Sequence, residues 1–166
     1  MTVRAVVVAP SNVLSTPARK VLDYDDSVLQ KVRDLIDTMV ESPGCVGLAS
    51  VQLGLSDQIF VVDVSKHKKT DICHGLIVAI NPVIIHQSDP HKVREGCLSV
   101  PDFTGSILRY GEISIKAFDV TGCEFTISTN AFEAQAIQHE IDHLNGKVFL
   151  DRVLDVADVY PRKRYL

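Results

Sequence analysis

A chain of 166 residues, 46% hydrophobic and 23% charged, has the apolar material for one core of ordinary size and is not of the disordered class. Its formal net charge of −4 excludes a generally basic surface for nucleic acid or anionic membrane. The four cysteines, Cys45, Cys73, Cys97 and Cys123, are scattered without a CxxC pair, and the brief apolar run Ala5 to Ala9 before Pro10 leads us to expect neither secretion nor membrane insertion. A reducing cytoplasm, with no membrane association, is the expected setting.

Residues 1–24 read as irregular, punctuated by Pro10, Ser11, Asn12 and Pro17. Val28, Leu29, Val32, Leu35, Ile36, Met39 and Val40 recur at helical spacing and predict an amphipathic core helix over 27–40, capped by Asp25 or Asp26 and stopped at Pro43-Gly44. A small-residue stretch around Gln52 follows, then a strand at 59–64 and a polar loop at 65–71 whose three lysines fit a solvated tip. Strands are expected at 76–80 and 83–85, interrupted at Asn81-Pro82, with a polar stretch at 87–94. Two more, 113–118 and 124–127, flank a hairpin turn at 119–122. After a second helix, residues 148–150 read as a short strand, and Pro161 breaks any long terminal helix. The basic cluster Arg162-Lys163-Arg164 fits a solvated tail. With no repeat or linker, residues 1–166 are expected to form a single α+β domain, mostly antiparallel sheets packed around the second helix.

That helix carries Gln138-His139-Glu140-Ile141-Asp142-His143. Two histidines four apart meet on one helix face, and Glu140 stands close enough to act on a water bound to a metal held by the pair. Asn130 is expected to cap the helix with Glu133 completing a capping-box pair, and Gly146 to end it. The pair is also compatible with satisfied polar residues on a half-buried face. A catalytic metal site needs a third protein ligand. The pattern H-E-x-x-H-x-x-G would end, in a metzincin protease, with a histidine where this chain has Phe149. The downstream carboxylates Asp151, Asp155 and Asp158 have no second helix to present them. Upstream, Cys97 lies between Gly96 and Leu98 in a segment that could lie extended beside the helix, although a buried free cysteine is usually a small hydrophobe.

Three stretches together resemble the peptide deformylase family: Cys45-Val46-Gly47-Leu48-Ala49-Ser50-Val51-Gln52, Glu95-Gly96-Cys97-Leu98-Ser99 and the helix Gln138 to His143. The resemblance covers most of the chain. It implies a hydrolase of protein biosynthesis that removes the N-formyl group of formyl-methionyl peptides and releases formate. It also implies that Cys97, His139 and His143 hold one divalent metal, typically Fe(II), with Zn, Ni or Co able to use the same ligands. Glu140 would be the general base, and the Gln52 side-chain amide and the Leu98 backbone N–H the oxyanion donors. Gly47 and Gly96 would leave bare backbone for a peptide lying as an added strand, with Val46, Phe132 and Ala136 lining the methionine pocket. Asp142 is expected to pair with Arg109 or to lie exposed. Cys45 and Ser50 replace a glycine and an alanine common in the first motif, with Cys45 open to oxidation. Asp102-Phe103-Thr104-Gly105 stands where many members place a peptide-anchoring arginine. No long C-terminal helix for ribosome contact is evident. A zinc peptidase sharing only the helix motif, and an inactive deformylase-like binding protein, are the competing readings.

Overall fold

The computed structural model describes residues 2–70 and 73–162. The helical spacing forms α1 (Asp26–Glu41), one residue longer at each end than expected. The Asp25 carboxylate caps it, accepting from the backbone N–H groups of Ser27 and Val28 at 3.0 and 3.2 Å. Its buried Val28, Val32, Leu35 and Met39 pack with Leu48, Ile59, Val61 and Ile80 into one apolar cluster, so this face is core.

Among the described residues, six strands form one sheet: β1 (Gly47–Ala49), β2 (Ile59–Val62), β3 (Ile77–Cys97), β4 (Val100–Phe118), β5 (Glu124–Asn130) and β6 (Val159–Pro161). Their order is β1-β2-β3-β4-β5, with β6 on β4, and every strand pair is antiparallel. The α+β class is therefore as expected, in one sheet rather than several.

The sheet departs most from expectation in β3 and β4, a hairpin of 21- and 19-residue strands that the sequence reading broke into pieces. Pro82 lacks an N–H, and the register shifts between Ile80 and Val83 to pass it, with Asn81 at φ 51. The Asn81 side chain ties this kink to the N-terminal segment, accepting from the Val21 N–H and donating to the Val21 carbonyl. Residues 87–94 are strand after all. They are largely exposed on both faces and so lack the alternation that marks a half-buried strand. The turn at 119–122 forms as predicted, with the Asp119 carboxylate accepting from the Thr121 and Cys123 N–H groups.

The second helix is α2 (Ala131–Leu144). The expected capping pair is not made: the Asn130 side chain forms no cap bond, and buried Glu133 accepts from Thr129 Oγ1 at 2.6 Å and from the His74 N–H at 2.8 Å. Glu133 thus ties the helix to β5 and to the loop before β3. Gly146 ends the helix as expected, at φ 72, with its N–H on the His143 carbonyl. Ala134, Ile137, Ile141 and Leu144 pack with Ala49, Phe60, Val62, Ile113 and Ile115. Surrounded in this way, α2 also buries Gln138, Glu140, Asp142 and His143, and each such polar group needs a partner.

Residues 148–150 are not a strand. Phe149–Arg152 is a 3-10 turn that buries Phe149. The last strand, β6, pairs Pro161 with Phe103 and carries Arg162 back to the sheet, so Arg162 is not part of a solvated tail; Lys163 and Arg164 lie outside the described residues. No helix among the described residues is long and apolar enough to cross a membrane.

Candidate metal centre

Helical spacing brings the Nε2 atoms of His139 and His143 to 3.2 Å, their rings edge to face. From the end of β3, Cys97 Sγ lies 3.2 Å from His143 Nε2, and the three donor atoms all fall within 4.8 Å of one another. Two imidazole nitrogens pointed at each other cannot both carry protons, whereas a shared cation satisfies both. A tetrahedral ion with metal–nitrogen bonds of about 2.0–2.1 Å holds two imidazole nitrogens about 3.3–3.4 Å apart. Thiolate and imidazole are a borderline-soft set, so chemistry and spacing together fit one transition-metal ion.

Buried charges hold these side chains in place. Glu95, two residues before Cys97, accepts from His139 Nδ1 at 2.7 Å, which leaves Nε2 free to ligate. Arg109 on β4 donates to the same carboxylate at 2.8 and 3.0 Å, and through Nη1 to Asp142 at 2.6 Å, the first of the two outcomes left open for Asp142. Arg152 adds a second guanidinium, donating to both Asp142 oxygens, one at 2.5 Å. Burial works against ionising Glu95, but hydrogen bonds from His139 and Arg109, and their charge, outweigh it and hold the carboxyl at about 2. Burial likewise opposes charge on His139, yet the Cys97 and Glu95 partners push its pKa well up, while burial and the His139 charge push His143 well down.

Glu140 sits beside the histidines, 3% exposed, and its Oε2 has no hydrogen-bond partner among the described residues. Burial raises its carboxyl to about 7, with the charges of Glu95 and Asp142 adding to that and those of His139 and Arg109 opposing it. A Cβ built at Gly47 would lie 2.6 Å from Glu140 Oε1, so only glycine leaves this carboxylate its place. Gln52 is pinned at both ends of its amide: Oε1 accepts from the Ala49 N–H at 2.9 Å, and Nε2 faces Ser99 Oγ at 3.2 Å and Cys97 Sγ at 3.5 Å.

A cleft of about 250 Å³ opens over these groups. Cys97, His139 and Glu140 form part of its lining, with Gln52 and Leu98 beside them. Val46, Gly47, Gly96, Phe132 and Ala136 line it too, whereas His143 lies fully buried beneath. The loop after β2 is more than a solvated tip. His67 stacks on Phe132 at 4.3 Å, and Lys69 Nζ lies 5.5 Å from the same ring; Asp71 lies outside the described residues.

The family model described as "Polypeptide deformylase" matches residues 3–158. The chain belongs to the polypeptide deformylase family. Peptide deformylase 1 of Clostridium perfringens is 41% identical over 154 residues, covering 93% of this chain and 100% of that protein. The peptide deformylase of Syntrophobacter fumaroxidans is 37% identical over 155 residues, covering 93% and 89%. Among solved structures, the Ehrlichia chaffeensis peptide deformylase in complex with actinonin superposes with a TM-score of 0.87 at 36% identity, covering 95% of this chain and 92% of that one.

As a deformylase-family chain, this one has two first-motif departures with different fates. Ser50 is buried and turns its hydroxyl to the Asp57 carbonyl. Cys45 lines the cleft and donates to the Gly47 carbonyl at 3.1 Å. Burial first, then the Glu140 charge, pushes its thiol up to about 12, which works against the thiolate that oxidation requires. Sequence reasoning assigned no role to Glu95, Arg152, Arg94 or Arg162. Glu95 was within reach, as a carboxylate two residues from a candidate ligand. The arginines gave no signal, because only the pairing of strands brings Arg94 and Arg162 to this cleft.

Proposed function

We propose that residues 1–166 act as one catalytic domain that hydrolyses the formyl group from N-formyl-methionyl peptides in the cytoplasm, yielding formate and a free amine. The observation that carries this reading is the convergence of Cys97, His139 and His143 beside Glu140, whose Oε2 has no partner among the described residues, under a cleft of about 250 Å³. Those three residues would hold a single divalent ion, Fe(II) by preference and Zn, Ni or Co as alternatives. When bound, the ion supplies a water of lowered pKa and polarises the carbonyl.

In this reading Glu140 takes the water proton and returns it to the leaving amine, placed for both by its burial beside His139 and His143. Water is added across the formyl C–N bond, oxygen to carbon and proton to nitrogen. Gln52 Nε2, held in register by its Ala49 bond, and the Leu98 backbone N–H stabilise the oxyanion. Val46, Phe132 and Ala136 receive the methionine side chain, while Gly47 and Gly96 present bare backbone to the peptide. The His67 stack supports Phe132 from behind. Substrate would be met as nascent chains near the ribosome exit region. The described C-terminal residues form a 3-10 turn and the three-residue β6.

Anaerobic, metal-loaded protein offered formyl-Met-Ala-Ser should release formate and leave the internal peptide bonds intact. Internal cleavage would favour a peptidase, and binding without formate an inactive receptor. Neither alternative gains support from the family relationship.

A further inference from the structure

We propose that Arg94 and Arg162 form a carboxylate-binding rim at the mouth of the cleft, which selects substrates bearing an acidic side chain or a free C-terminal carboxylate shortly after the formylated residue. The proposal rests on the deformylase reading of the cleft and adds a charge preference to it.

Both side chains line the cleft, one from β3 and one following β6. Both are held in place. Arg94 Nε and Nη2 donate to Thr104 Oγ1 at 3.0 and 2.9 Å, and its guanidinium lies 3.9 Å from the Tyr160 ring centroid. Arg162 Nη1 donates to the Cys97 carbonyl at 3.2 Å, and its backbone N–H bonds the Asp102 carbonyl at 2.8 Å. A Cβ built at Gly96 would lie 3.7 Å from Arg162 Cζ, so the guanidinium rests over bare backbone on the cleft wall. Glycine there lets it approach.

Neither guanidinium forms an ion pair among the described residues, in contrast to Arg109 and Arg152, which are paired to buried carboxylates. Arg94 Nη1 and Arg162 Nη2 likewise have no acceptor among the described residues. Two oriented forks with donors to spare are matched to a carboxylate in geometry and charge. Because their own contacts already restrict them, binding costs less side-chain entropy than for free surface arginines. Exposure at the mouth keeps the preference modest and sensitive to salt.

The test compares kcat/KM for formyl-Met-Ala-Glu-amide, formyl-Met-Ala-Ser with a free carboxylate, and neutral formyl-Met-Ala-Ser-amide, in the metal-loaded wild type, Arg94→Gln and Arg162→Gln. The readout is the ratio of each acidic peptide to the neutral one within the same preparation, so a general loss of activity cancels. We expect at least one acidic peptide to be preferred about three- to tenfold, chiefly through KM, with the ratio falling towards one in either variant and at high ionic strength. Whichever peptide shows it identifies the source of the carboxylate. A wild-type ratio near one, or an unchanged ratio in both variants, overturns the proposal and leaves the two arginines as braces for Thr104 and the Cys97 strand. Should no peptide release formate, the deformylase reading fails on its own. Calorimetric affinities of Met-Ala-Glu-amide and Met-Ala-Ser-amide, which need no turnover, then decide the rim by the same ratio.

Discussion

Arg109 donates to Glu95 at 2.8 Å and to Asp142 at 2.6 Å, and so ties the strand that carries Cys97 to the helix that carries both histidines. Arg109 is 2% exposed and its two partners 6% and 4%, so removing the guanidinium takes a charge partner from two buried carboxylates and leaves Glu95 to His139 and Asp142 to Arg152. Arg109→Met should destabilise the protein by about 3–5 kcal/mol. Through Glu95, which orients His139, metal affinity should fall about 10- to 100-fold. Denaturant unfolding of the metal-free protein and a chelator competition titration measure the two effects separately.

The same network predicts an acid limit to stability. The folded pKa of Glu95, about 2, lies below its unfolded value of about 4.3. Its contribution is therefore fully present above the unfolded value and is lost as pH falls from there towards 2. In the metal-free protein, the gap in Tm between wild type and Glu95→Gln should be widest above pH 5 and narrow steadily below it. A gap independent of pH would show that the carboxylate charge is not what matters.

Gly47→Ala should act on Glu140 without touching it chemically. A methyl group placed 2.6 Å from Oε1 forces the carboxylate aside. Displacement of a catalytic group by up to about 1 Å costs up to about 100-fold, so kcat should drop by about 10- to 100-fold. Metal content, read by elemental analysis, should not change.

Helix α2 was legible because residues four apart in sequence are neighbours on a helix, so His139 and His143 announced themselves. The spacing of Val28 to Met39 exposed α1 for the same reason. Cys97 and Glu95 approach that helix from β3, and no local spacing reveals which distant strand will lie beside it; the three motifs had to be read together. The outer part of the β3–β4 hairpin was hidden by exposure on both faces, and Arg162 by the pairing of β6 with Phe103, Thr104 and Gly105. Asn130 and Glu133 looked like a capping pair, but the neighbouring Thr129 and the distant His74 claimed the glutamate.

Phe149 occupies the position where a metzincin would place its third histidine, and its role here is packing. It is 1% exposed, and a Cβ built at Gly105 would lie 2.9 Å from its ring. Phe149→Ala should cost about 3–5 kcal/mol in denaturant unfolding. Formate release below the unfolding transition should persist, since the ring does not line the cleft.

The proposed division of labour has Glu140 move the proton while Cys97, His139 and His143 hold the metal. Glu140→Gln, loaded with metal under anaerobic conditions and assayed for formate release from formyl-Met-Ala-Ser, tests it most directly. The variant should hold one metal per chain and release formate at least about 100-fold more slowly. Full metal occupancy with formate release near the wild-type rate would contradict it.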